Sequence, residues 1–199
     1  MIEIIEIVLL LLLPISLIFF RIVPFKYRMH LLTLSFVGSI LIMFFEGWTL
    51  SDAGFRTDNL LISLIPYIIF TVGSIALAYI YLRIVNKKPK NINPQLLYYF
   101  IPISFAQEIL FRSFIVTKLS NITNSWIFIT LLSTVLFVVA HLIYTIDHHG
   151  ILLLIISGAG FTIMYLTWPN LILIGLAHSA LNLYIVRYGF FKEPSSMLI

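Results

Sequence analysis

The sequence contains no cysteine, which excludes a disulfide framework, a thiolate metal site and a cysteine nucleophile. Charge is equally scarce. Lys, Arg, Asp and Glu make up 10% of the 199 residues, whereas 61% are hydrophobic and the mean hydropathy is +1.08. A soluble domain is about a quarter charged and about half apolar, so most of this chain must be solvated by lipid or by its own helices. No GxGxxG, P-loop or HExxH stretch occurs, so no cofactor or metal is expected from a motif. The net charge of +4 is no nucleic-acid signature. The basic residues sit in short loops between apolar runs, the pattern of a membrane protein, and no nucleic-acid partner is expected.

The chain offers a series of apolar runs, at roughly 4–23, 29–47, 60–82, 95–118, 125–145, 151–168 and 171–187. Each approaches the ~20 residues that a membrane helix needs. The expected fold is all-α, a polytopic transmembrane helix bundle of about seven spans. It forms a single membrane-embedded domain over 1–199, with its motif-bearing core at about 95–187 and membrane lipid as its solvent. The first run is not a typical secretory signal: Glu3 and Glu6 lead it, Arg21, Lys26 and Arg28 follow it, and no small-residue cleavage site appears.

Placing the loops after spans 1, 3, 5 and 7 on one side collects Arg21, Lys26, Arg28, Arg83, Lys87, Lys88, Lys90, Arg187 and Lys192 there. The other side holds Arg56 and Lys118. This asymmetry predicts a cytoplasmic C-terminus and an outward N-terminus. Pro66 and Pro102 are expected to kink their helices. TWPN at 167–170 reads as a tight outer turn, and Ser157, Gly158, Ala159 and Gly160 suit close helix packing.

Against this background the stretch FAQEILFRSF at 105–114 stands out. A lone charge at the centre of a membrane helix costs about 2.5–3.5 kcal/mol by insertion measurements. Glu108 precedes Arg112 by four residues, so the two share a face in the order that favours an ion pair. A buried clamp fixing helix register is the simpler reading of that pair. Gln107 projects ~100° away, which suggests a polar interior cavity. The fifth run carries FVVAH at 137–141, with Phe137 and His141 one turn apart. A lone His there can merely bond a backbone carbonyl. The seventh carries HSALN at 178–182, with His178 and Asn182 again four residues apart. They form either an interhelical hydrogen-bonding pair or two donors to one developing anion. By helical rise the three motifs can meet in one half of the membrane. His148 and His149 read as solvated loop residues.

QEILFR, FVVAH and HSALN, in that order on three helices, resemble the CAAX-protease and bacteriocin-processing (CPBP, or Abi) family of intramembrane endopeptidases. That family's pattern is EExxxR, then FxxxH, then HxxxN. The resemblance covers about 95–187. It implies a peptide or lipidated protein substrate: prenylated C-termini, or bacteriocin and signalling-peptide precursors. A composition rich in Ile, Leu, Lys and Asn points to a prokaryotic cytoplasmic membrane and favours precursor processing or self-immunity. In the family the first Glu and the FxxxH histidine are thought to activate water. The second Glu pairs with the motif Arg, and the HxxxN pair stabilises the oxyanion. Those positions are Gln107 and His141, Glu108 and Arg112, and His178 and Asn182. The family was once read as zinc enzymes, and a metal-free mechanism is now favoured.

One position departs from the pattern. Gln107 stands where the water-activating Glu is expected, and an amide cannot accept the proton. General-base help is worth about 10²–10⁴-fold. Three explanations fit: an engineered Glu→Gln change that silences an enzyme, a natural pseudoprotease, or Glu108 taking over as base. The first is preferred, because the remaining constellation is complete and Gln is nearly isosteric with Glu. Two rival functions stand beside the protease: a non-catalytic membrane scaffold that regulates an envelope enzyme or sensor, and a proton or small-ion pathway. No inverted repeat supports the latter.

Overall fold

In the computed structural model, residues 2–89, 91, 94–143 and 148–188 are described. Lys90, Lys192 and the end of the fifth apolar run lie outside them. The described residues contain helices and turns and no strand. Seven long helices follow the seven apolar runs: α1 (Ile2–Phe19), α2 (Arg28–Phe45), α3 (Leu60–Ile84), α4 (94–122), α5 (Trp126–His141), α6 (His148–Thr167) and α7 (Leu171–Ile185), the last closed by a 3₁₀ turn, Val186–Tyr188. Six of them are long and apolar enough to cross a membrane, and α5, with 16 residues, is shorter. Lipid solvation explains the bundle's surface, since α3 buries only Ser63, Tyr67, Ala78 and Leu82 and leaves Leu61, Ile62 and Ile84 open. The innermost helices are α4 and α7, about half buried, and they carry the first and third polar motifs, with the second on α5.

α4 is unusual locally. From Ile109 to Val116 it widens into a π-helix, and Leu110 through Val116 are all buried. Such wide turns cluster at functional sites, and this one begins beside Glu108. Pro66 and Pro102 both lie within continuous helices.

One end of the bundle is stapled by polar contacts. Asn170 ends the TWPN turn and is fully buried. Its Oδ1 accepts from the backbone N–H of Leu173 at 3.0 Å, capping α7, while Nδ2 donates to the Arg56 carbonyl and to Asn59 Oδ1, both at 2.8 Å. At the same end lies Lys118, within α4 and 2% exposed, which reaches Glu6 and Glu46, each at 2.6 Å. A buried ammonium is tolerated only when paired, and these acids from α1 and the end of α2 supply the pairing. His148 and His149, expected as solvated loop residues, instead open α6; His148 is exposed, while His149 is half-buried with its Nδ1 2.6 Å from the Tyr81 hydroxyl of α3.

Small residues set how closely the motif helices approach. A Cβ on Gly158 would stand 3.2 Å from the Phe137 ring, so the glycine lets α6 press that ring into place. A Cβ on Gly175 would fall 2.5–2.9 Å from three atoms of the Phe105 ring, closer than real contacts allow, so α7 can meet α4 here only without a side chain.

Candidate active site

α4 and α7 run antiparallel with their polar residues in register. Ser104 and Glu108 lie one turn apart on α4, and Asn182 and His178 lie one turn apart on α7. Asn182 Nδ2 donates to Ser104 Oγ at 3.0 Å, and His178 Nδ1 lies 2.6 Å from Glu108 Oε1. Glu108 is wholly buried and His178 is 4% exposed. Carboxylate oxygens accept, so Nδ1 carries the proton and donates, leaving Nε2 of His178 as its remaining nitrogen.

The other oxygen of Glu108, Oε2, lies 3.3 Å from Arg112 Nε. This is an ion pair without hydrogen-bond alignment, because among the described residues neither Oε2 nor any guanidinium nitrogen of the fully buried Arg112 has a hydrogen-bond partner. Aromatic rings stand in for one. The guanidinium carbon sits 4.9 Å from the centre of the Phe137 ring, 5.9 Å from Phe161 and 6.0 Å from Phe111. Ring quadrupoles attract a cation at these distances, most strongly when it is desolvated.

Phe137 therefore joins two motifs. Its ring faces Arg112, and it also lies 4.4 Å from the His141 ring and 6.1 Å from the His178 ring, so both imidazoles flank the same phenyl group. Its carbonyl oxygen lies 2.7 Å from His141 Nδ1. A carbonyl can only accept, so Nδ1 carries the proton, and in the neutral ring Nε2 presents a lone pair. Gln107 Nε2 lies 3.4 Å from that atom, a long contact in which the amide donates.

The structure thus brings Gln107 to His141, and Glu108 to both Arg112 and His178. It does not join His178 to Asn182, because each is held by a different residue of α4. Glu108, Arg112, His141 and His178 are buried, while Gln107 and Asn182 beside them are half-buried. Among the described residues no group of three or more His, Cys, Asp or Glu is disposed to hold a metal ion. Sequence reasoning missed Ser104 and Phe161. Ser104 had a signal, since it lies four residues before Glu108 on the same face. Phe161 had none, since an aromatic residue in an apolar run is unremarkable.

Residues 89–184 match the family model of the type II CAAX prenyl endopeptidase Rce1-like proteins. The chain carries an Rce1-like domain. That domain spans α4 to α7, the helices that contribute every polar contact of the site. No curated protein and no solved structure shows a significant match. The six apolar helices mark an integral membrane protein, and the match over 89–184 supports the intramembrane endopeptidase type.

Proposed function

We propose that the chain is a CPBP-type intramembrane endopeptidase for a membrane-associated peptide or protein C-terminus, silenced at its water-activating position by Gln107. The contact between Gln107 and His141 carries this reading. His141 Nε2 offers a lone pair, and the Gln107 amide fills it with an N–H. A glutamate at 107 would instead set two acceptors face to face. A donor must then bridge them, and a water molecule is the donor that fits. The carboxylate would take the water's proton as its oxygen attacks the scissile carbonyl. The oxyanion would form beside Asn182 and the free nitrogen of His178. Donation from that nitrogen requires a doubly protonated ring, and Glu108 faces the resulting charge.

Glu108 is poorly placed to replace the missing base. One of its oxygens accepts from His178, and the other faces Arg112. To act as a base, this fully buried carboxylate would have to give up both contacts.

The substrate follows from the membrane setting. A prenylated protein C-terminus agrees with the family's description, and a bacteriocin or signalling-peptide precursor agrees with the composition. We place the single domain in a prokaryotic cytoplasmic membrane, N-terminus outside and C-terminus inside. Among the described residues Arg21, Lys26, Arg28, Arg83, Lys87, Lys88 and Arg187 on one side oppose Arg56 and Lys118 on the other.

The rival reading is a natural pseudoprotease that scaffolds or regulates a membrane partner, and it rests on the same glutamine. Gln107→Glu separates the two. Cleavage of a membrane peptide by Gln107→Glu at least about 10²-fold above the parent chain, abolished again by His141→Ala, supports the protease. Unaltered partner binding in both forms, with no cleavage, supports the scaffold.

A further inference from the structure

We propose that Ser104 is a positioning residue that decides which end of the Asn182 amide faces the reaction site; the inference rests on the protease reading above. Ser104 is completely buried in α4. A serine hydroxyl has one proton to give. At Ser104 the Phe100 carbonyl, 2.6 Å away and one turn back on the same helix, takes that proton. The oxygen's lone pairs are then all that Ser104 can offer sideways.

Asn182 must therefore approach Ser104 with its NH₂ group, as it does at 3.0 Å. An amide oxygen turned the same way would meet an oxygen without a proton. One N–H of Asn182 is thus committed to Ser104, and the second N–H and Oδ1 of this half-buried side chain are left for other contacts. The orientation matters because the two ends of an amide have opposite chemistry: the N–H stabilises an oxyanion and the carbonyl repels one. Among the described residues the Asn182 side chain hydrogen-bonds to Ser104 alone, so nothing else there fixes its rotation. The arrangement also sets depth. Ser104 and Glu108 are successive rungs on α4, so the amide of Asn182 and the ring of His178 are held one turn apart by one rigid helix.

The test uses the full chain in detergent micelles or proteoliposomes, with selectively ¹⁵N-asparagine-labelled protein and with cleavage of a membrane-anchored peptide by the Gln107→Glu form. Ser104→Ala is expected to collapse the distinct pair of Asn182 side-chain amide signals, assigned by their loss in Asn182→Asp. It should lower kcat by about 10–100-fold, short of the loss seen when an oxyanion donor is deleted, with KM within about twofold. Ser104→Thr, which keeps the hydroxyl, should preserve both the signals and turnover. In an Asn182→Ala background Ser104→Ala should change kcat no further.

Amide signals indifferent to Ser104→Ala overturn the proposal, whatever the activity. Altered signals with unchanged kcat in a cleaving chain overturn it as well. Signals that depend on Ser104 in a chain that never cleaves, even as Gln107→Glu, sink the protease reading and the effect on turnover while leaving the orientation of Asn182 established.

Discussion

His178 Nδ1 stands 2.6 Å from Glu108 Oε1, with both side chains almost wholly removed from solvent. Glu108 is therefore more than the partner of Arg112. It bridges a cation on its own helix to an imidazole on α7, and it holds the third motif against the first. A pair that simply clamped helix register would have left His178 free to turn towards Asn182.

The bridge predicts an asymmetric response to substitution. Arg112→Met leaves a buried carboxylate without its cation and should cost about 3–5 kcal/mol of stability. Adding Glu108→Gln should restore most of that loss, because a glutamine oxygen still accepts from His178 and no charge remains to be compensated. Denaturant or thermal unfolding of the two variants in one detergent measures this. A double variant as unstable as Arg112→Met would show that the carboxylate is not what destabilises the single variant.

Gly175→Ala places a methyl group against the Phe105 ring at distances no relaxed contact shows. Overpacking of this kind costs about 1–3 kcal/mol, and the strain falls on the seam that aligns Glu108 with His178. Phe105→Leu on top of Gly175→Ala should recover stability, and tryptophan-fluorescence melting of both variants provides the comparison. Equal melting temperatures for Gly175→Ala and the parent chain would mean that the seam can yield.

Lys118 holds Glu6 and Glu46 to α4 and lies 5.5 Å from the centre of the Phe114 ring. Lys118→Met removes the cation and leaves two neighbouring acids, so the end of the bundle should loosen by about 3 kcal/mol or more. Limited proteolysis within residues 46–59 should accelerate, and adding Glu6→Gln with Glu46→Gln should slow it again. Unchanged proteolysis in Lys118→Met would assign the stapling to Asn170 instead.

The loop after α2 contributes a pH dependence. Asp52 Oδ2 accepts from both the backbone N–H and the hydroxyl of Thr49, at 2.9 and 2.7 Å. Of these the hydroxyl contributes most to holding the Asp52 carboxyl below its ordinary value of 3.8. A group whose pKa is depressed by folding adds stability above its unfolded value and loses it as pH falls through the folded one. The turn at 49–52 should therefore be intact at neutral pH and open only in acid, below the ordinary aspartate range. In an NMR titration Thr49→Ala should move the Asp52 midpoint upward, and an unmoved midpoint would remove Thr49 as the cause.

Much of the site was legible because helix periodicity is a local property. Residues four apart share a face, so Glu108 with Arg112, Phe137 with His141, and His178 with Asn182 could be grouped before any helix was placed. What each face meets is not local. Ser104 could be put on the Glu108 face, but that it would capture Asn182 depended on the register between α4 and α7. Phe137 could be paired with His141 by spacing, while its contact with Arg112 needed α5 to cross α4 at one particular height. Lys118 could be put at the end of its span, but its pairing could not be foreseen, since its acidic partners lie 72 and 112 residues earlier in the chain.

The amino-acid sequence alone determined that this chain lives in lipid as seven helices and that three of them carry polar stripes, because hydropathy and 3.6-residue periodicity act within each segment. The tertiary structure decided the partnerships. Close approach at Gly175, the wide turn from Ile109 to Val116 and the antiparallel register of α4 and α7 gave Glu108 to His178 and Ser104 to Asn182. Hydrogen bonds in a dry interior form only between groups that packing brings within about 3 Å, and packing is a property of the whole bundle.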